Sequence, residues 1–277
     1  MFVAVCVAGA VLVLHRMYTN EVWKDDRCAH LANRPGNVKV LILGHSHTAC
    51  SFDASQIDSA YSIASGARVS YYDAELLERY APILPNLRAV IYPLAYEYEA
   101  GHFYMDKDFM LSQMFDYKKF YHVDPPKDCE ELCRSPHYRL QFFGINHGSV
   151  GTFDSLGQQL IGDGFGNGKN VWNAPCGRQK VAESLARMAR ICKHNNLRFV
   201  VITFPGNSTY LKESVDSVEL GKLYQLVDSI GSIYPVEYHC YLGDSQFAND
   251  SLFYDQTHLN HRGATLFAER VKRDFGL

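Results

Sequence analysis

The sequence predicts an α/β fold built on a parallel sheet, and three observations predict it. Short, largely apolar runs rich in β-branched residues recur at residues 38–43, 87–92 and 197–204. Such runs suit strands covered on both faces, as in a parallel sheet. Between them lie segments with helical spacing of apolar residues, and strands separated by helices argue for right-handed parallel crossovers. Finally, the 277 residues are 47% apolar and 13% aromatic, enough for one sizeable core. A single domain with an insertion fits this length better than two equal domains.

Residues 2–14 are apolar throughout apart from glycine, until His15 and Arg16 break the run. That is shorter than the roughly 20 residues that span a bilayer and closer to the apolar region of a signal sequence. No basic stretch precedes it, and Met17-Tyr18-Thr19-Asn20 offers no small-residue cleavage site. Residues 1–18 are therefore expected to be an N-terminal hydrophobic anchor or the remnant of a signal, with a first buried core element as the alternative. The main domain is expected over residues 36–277.

The first strand ends in Gly44-His45-Ser46-His47-Thr48, a glycine followed by a serine between two histidines. Ligands of parallel sheets sit outside the carboxyl ends of the strands, so this serine would stand at the mouth of a crevice. A serine here also suits plain helix capping. Residues 61–64 read as a short strand, followed by a turn at Ser65-Gly66-Ala67. Residues 71–80 have the helical spacing of Tyr72, Leu76, Leu77 and Tyr80, and residues 87–92 form the next strand, ending at Pro93.

Residues 97–175 break the alternation. They are long, irregular and dense in aromatics, among them Tyr98, Phe103, Tyr104, Phe115, Tyr117, Phe120 and Tyr121. They are expected to be an insertion whose aromatics serve as core or as a platform for a sugar-containing or acyl substrate. Its glycine-rich stretch, residues 162–168, lacks the lysine and the preceding strand of a phosphate loop.

Residues 178–194 are a helix by the stripe Val181, Leu185, Met188, Ala189 and Cys192, with basic residues near its C-terminus where they suit the dipole. Residues 197–204 are a buried strand closed by Pro205-Gly206, and residues 219–230 a helix. Val236, Tyr238, Cys240 and Leu242 alternate like a half-buried strand. A terminal helix over residues 262–275 carries Ala264, Phe267, Ala268, Val271 and Phe275 on one side.

The formal net charge is −3, with no block of lysines or arginines, so no footprint for a phosphate backbone is present and no nucleic-acid partner is expected. Eight cysteines would allow disulfides in an exported protein, but a chain of this length does not need them and their spacings name no metal site. Cys6 lies in the apolar segment. Cys129 and Cys133 suit one helical face or a local bridge, and free buried cysteines fit equally. Asn207-Ser208-Thr209 and Asn249-Asp250-Ser251 match the glycosylation pattern.

Just before the terminal helix stands Asp255-Gln256-Thr257-His258-Leu259-Asn260. In a turn, an aspartate three residues before a histidine can reach the imidazole, fix its tautomer and stabilise the imidazolium formed when the ring takes a proton. A hydroxyl nucleophile needs such a base, because free serine is hardly ionised at neutral pH. Metal hydrolysis is the competing chemistry, through His45, His47, Asp255, His258 and His261. Zinc needs three or four converging ligands, and no metal is expected.

Gly44-His45-Ser46-His47-Thr48 after a strand, a glycine turn after the second strand and Asp255-x-x-His258-Leu259-Asn260 before the last helix together resemble the SGNH (GDSL-type) hydrolase superfamily. The likeness is to its exported, membrane-anchored branches that handle acyl groups on cell-surface polymers. The resemblance implies a three-layer α/β/α sandwich of flavodoxin-like type, with Ser46 as nucleophile, His258 as general base and acid, and Asp255 orienting it. The backbone N–H groups of Ser46 and Gly66 would form the oxyanion hole, and no cofactor is called for. It implies removal of O-acetyl or other acyl groups from a surface carbohydrate, with acyl transfer onto a glycan as the alternative. The expected setting is extracytoplasmic and membrane-anchored, with a membrane acyltransferase as a candidate partner.

Two departures from the family pattern stand out. His45 occupies the place of the usual aspartate before the serine, and residues 91–96 lack the asparagine that supplies a further oxyanion donor. Losing one such donor can cost 10²- to 10³-fold in rate. Tyr96 is a candidate substitute, and a catalytically idle module that binds a glycan or an assembly partner is the reading from another class.

Overall fold

The computed structural model describes residues 7, 9–12, 27–33, 35–66, 68–96, 117, 121, 123–124, 153–162 and 178–277. Most of the proposed anchor and of the aromatic-rich insertion lies outside these residues.

The apolar runs become the strands β1 (Val40–Ile42), β2 (Ala60–Ser62), β3 (Ala89–Pro93), β4 (Arg198–Thr203) and β5 (Glu237–Cys240). They form one sheet in the order β2-β1-β3-β4-β5, every pair parallel. The chain passes from β1 outward to β2 and returns across β1 to β3. The switch point of this doubly wound order therefore lies at the carboxyl ends of β1 and β3, where α/β sheets bind ligands.

The strands are shorter than their apolar runs. β2 begins one residue before the predicted segment and ends at Ser62, although Ile63 N still donates to Ile42 O at 3.0 Å. β5 is half-buried through Glu237, Tyr238 and Cys240, with His239 exposed. The next residue, Tyr241, is fully buried and packs against the second core, so the alternation ends before Leu242.

Side chains alternate across the sheet with period two. Leu41, Tyr61, Val90, Phe199 and Val201 face a core shared with Leu76, Leu77, Val181, Leu185, Met188 and Leu223. Those partners come from α3 (Ser70–Tyr80), α4 (Arg178–His194) and α6 (Ser217–Gly231). Val40, Ile42, Ala60, Ala89, Ile91, Val200 and Ile202 face the other core, with Phe52, Phe204, Phe267, Ala268 and Val271. The last three belong to α7 (His261–Phe275). A sheet with a packed layer on each face is the three-layer α/β architecture.

The helices begin where the sequence offers acceptors for their free N–H groups. Asn260 Oδ1 accepts from Gly263 N at 3.1 Å at the start of α7, and Asp216 Oδ1 from Val218 N at 2.8 Å before α6. Asn207 does the same for α5 (Ser208–Glu213), accepting from Tyr210 N, and is itself buried. Of the insertion's aromatics, Tyr117 and Tyr121 are among the described residues and both are core, Tyr117 stacking on Tyr72 with centroids 3.9 Å apart. α1 (Arg27–Asn33) adds Cys28 and Leu31 to the same core. Among the described residues no helix is long and apolar enough to cross a membrane, and Cys28, Cys50, Cys192 and Cys240 are free thiols.

Candidate active site

The site begins where β1 turns into α2 (Ser46–Cys50). Gly44 carries the turn with φ of +110°, and a Cβ there would lie 2.2 Å from Pro93 Cγ. Only glycine meets both demands. His45 is extended and caps α2, with Nδ1 3.5 Å from His47 N, and Ser46 is the first helical residue, half-buried at the switch point.

The Leu43 and Gly44 peptide groups and the His45 carbonyl are held. Leu43 N donates to Ile91 O at 3.0 Å, and Thr48 Oγ1 donates to Leu43 O at 2.7 Å. Gly44 N donates to Asp73 Oδ1 at 2.9 Å, and its carbonyl accepts from Ser65 N at 3.0 Å. The His45 carbonyl accepts from Ala49 N at 3.0 Å.

The partner of Ser46 comes from the loop before α7. His258 Nε2 lies 2.8 Å from Ser46 Oγ, across 212 residues of chain. On the other side of the ring, Nδ1 is 2.9 Å from Asp255 Oδ2 and 3.1 Å from Oδ1. Oδ1 also accepts the backbone N–H of Thr257 at 2.9 Å and of His258 at 2.7 Å. The loop is pinched shut below this pair by the Phe253–Leu259 bridge and by Tyr254 N donating to His258 O at 2.8 Å.

Burial alone would raise the pKa of Asp255. The hydrogen bond and charge of His258, with the two backbone N–H groups, outweigh it and hold the carboxyl below its ordinary range. The resulting hydrogen-bonded chain can pass a proton from a serine hydroxyl to an imidazole whose tautomer a carboxylate fixes.

His47 is buried and its ring stacks on His258 with centroids 4.6 Å apart and planes 22° from parallel. The edge of Phe204 meets it from another side at 5.4 Å. His47 Nδ1 is 3.0 Å from His45 Nδ1, a spacing that requires one nitrogen to donate and the other to accept. Burial, then the His258 charge, lowers the pKa of His45 to about 3, and the same causes lower that of His47. Both rings are therefore neutral at neutral pH. Among the described residues no group of three or more His, Cys, Asp or Glu side chains is arranged to hold a metal ion. His261 is exposed at the start of α7.

Of the expected oxyanion groups, Ser46 N stands at the first position of α2, and Gly66 lies exposed in the turn one residue past Ser65. Tyr96, the candidate substitute donor, is bonded outside the Ser46 turn. The chain beyond Pro93 continues along β4, with Leu94 N bonded to Ile202 O at 2.9 Å, and carries Tyr96 toward the start of α6. There its hydroxyl accepts from Asp216 N at 2.8 Å. Sequence reasoning missed two side chains. Asp73 sits in the first turn of α3, where an acid looks like an ordinary dipole partner, and the stacking role of His47 had only the His-Ser-His pattern as its signal.

No protein-family model matches this chain, and no curated protein matches it either. Among solved structures, one neighbour is a proposed acylhydrolase from Bacteroides fragilis, with a TM-score of 0.48 and 9% sequence identity over 93% of this chain and 98% of that one.

Proposed function

We propose that the protein is a serine-dependent ester hydrolase of SGNH type. The observation that carries this reading is the continuous hydrogen-bonded chain from Asp255 through His258 to Ser46 at the sheet's switch point. Ser46 Oγ attacks the acyl carbon while His258 Nε2 takes its proton, and Asp255 stabilises the imidazolium. The oxyanion is held by the backbone N–H groups of Ser46 and Gly66. His258 returns the proton to the departing alcohol, leaving an acyl-enzyme. Water then repeats the sequence and releases the acid.

The substrate we propose is an O-acetylated cell-surface carbohydrate, on the strength of the motif resemblance. The apolar run at residues 2–14 supports a membrane-tethered, extracytoplasmic setting. Acyl transfer to a sugar hydroxyl uses the same acyl-enzyme and differs only in the acceptor.

The test is covalent labelling of the full chain by a fluorophosphonate probe, with Ser46→Ala and His258→Ala beside it, and acetate release from an acetylated glycan followed in parallel. Labelling of wild type, lost in both variants and accompanied by acetate release, is the expected result. Absence of labelling in folded wild type would refute it and leave the binding module as the better account.

A further inference from the structure

We propose that Asp73 is a positioning residue for the nucleophile, fixing the Gly44 peptide and through it the placing of Ser46. This rests on the reading of Ser46 as nucleophile. Of the hydrogen bonds described above for the turn, the sheet, the turn's own neighbours and the β2 loop supply all but one. The exception is Gly44 N, whose partner is a carboxylate reached from another element 29 residues on. Gly44 has no side chain with which to fix its own peptide, and its positive φ makes that peptide's orientation decide where the next two residues go.

The carboxylate is held at some cost. Asp73 is fully buried, as is its ion-pair partner Arg68, with Nη1 3.3 Å from Oδ1. Tyr117 and Tyr121 place their hydroxyls on the same guanidinium. Oδ2 of Asp73 is also buried and has no hydrogen-bond partner among the described residues. Apolar side chains of similar volume often match or exceed the stability of a buried ion pair. The pair is therefore poorly explained as a stabiliser. What the pair does supply is a fixed acceptor oxygen for the buried Gly44 N–H, which would otherwise go unpaired.

The test uses two double variants of the full chain, so that no charge is stranded. Arg68→Met/Asp73→Asn keeps an oxygen acceptor for Gly44 N, and Arg68→Met/Asp73→Leu removes it. With p-nitrophenyl acetate, the asparagine variant should keep kcat within about fivefold of wild type. The leucine variant, its circular dichroism and cooperative melting intact, should lose about 100-fold in kcat with KM changed less than threefold, the scale of a misplaced reacting group. Equal kcat in the two folded variants overturns the proposal while leaving Ser46 as nucleophile. Failure of wild type to label with fluorophosphonate removes the nucleophile itself, and the proposal with it. Should the leucine variant not fold, amide exchange in wild type decides: a slowly exchanging, downfield-shifted Gly44 N–H supports the anchor, and rapid exchange overturns it.

Discussion

Replacing Asp255 by asparagine separates the chemistry of this carboxylate from its structural work. Oδ1 receives the N–H groups of Thr257 and His258 at 2.9 and 2.7 Å, so the amide oxygen of an asparagine must stay there. The amide nitrogen is thereby forced into the place of Oδ2, 2.9 Å from His258 Nδ1, where it can only donate. Nδ1 must then accept, the ring proton moves to Nε2, and the 2.8 Å contact to Ser46 Oγ becomes a donation toward the nucleophile. The general base is lost without any atom being displaced. General-base catalysis contributes about 10²–10⁴, and a wrong tautomer in a serine hydrolase has cost about 10⁴. We expect kcat to fall about 10³- to 10⁴-fold, or roughly 4–5 kcal/mol of transition-state stabilisation. KM for p-nitrophenyl acetate should stay within threefold. The backbone bonds are retained, so stability measured in urea should fall by no more than about 1 kcal/mol. An Asp255→Asn variant within tenfold of wild-type kcat would refute the mechanism.

Three further outcomes are expected. His45 stays neutral when folded down to about pH 3 but takes up a proton near 6.5 when unfolded, so stability declines as pH falls below 6.5. From pH 7.5 to 5 this amounts to about 2 kcal/mol. In urea unfolding, His45→Asn, a cap that does not titrate, should lose about that much less than wild type, and identical pH dependence would count against the burial of His45. Gly44→Ala places a Cβ 2.2 Å from Pro93 Cγ at a φ of +110°, and should cost more than about 3 kcal/mol or prevent folding, so a wild-type melting temperature would contradict the turn geometry. His47→Phe keeps a ring against His258 and should retain kcat within about fivefold, whereas His47→Ala should lose at least tenfold, and the reverse order would show that stacking is not what His47 contributes.

The sheet was legible because its strands are covered on both faces, which writes runs such as Phe199-Val200-Val201-Ile202 into the sequence without polar interruption. Strand ends were less so. Pairing extends past β2 through single backbone bonds that carry no side-chain signature, as at Ile63 and Ser65. The Asp255–His258 contact is local, three residues apart in a closed loop, and was readable for that reason; the closure onto Ser46 needed a family pattern because the two positions are 212 apart in sequence. Asp73 and Arg68 were illegible for the opposite reason. Charged residues five apart at a helix start read as solvated, and only the tertiary fold buries them, with the Gly44 turn on Asp73 and Tyr117 and Tyr121 on Arg68. Tyr96 was chosen by proximity along the chain, whereas the contact it makes, with Asp216, lies 120 residues away and carries no sequence signal.

The span between Ser46 and His258 also sets an order in time. Synthesis runs from the N-terminus, and at about 5–20 residues per second the chain takes about 10–40 s to cover the separation of 212 positions between them. Throughout that interval the turn bearing Ser46 can be made while its hydroxyl remains as unreactive as that of any other serine. On the proposed mechanism, activation waits for the loop that carries Asp255 and His258, and until that loop is made Ser46 has no base to take its proton.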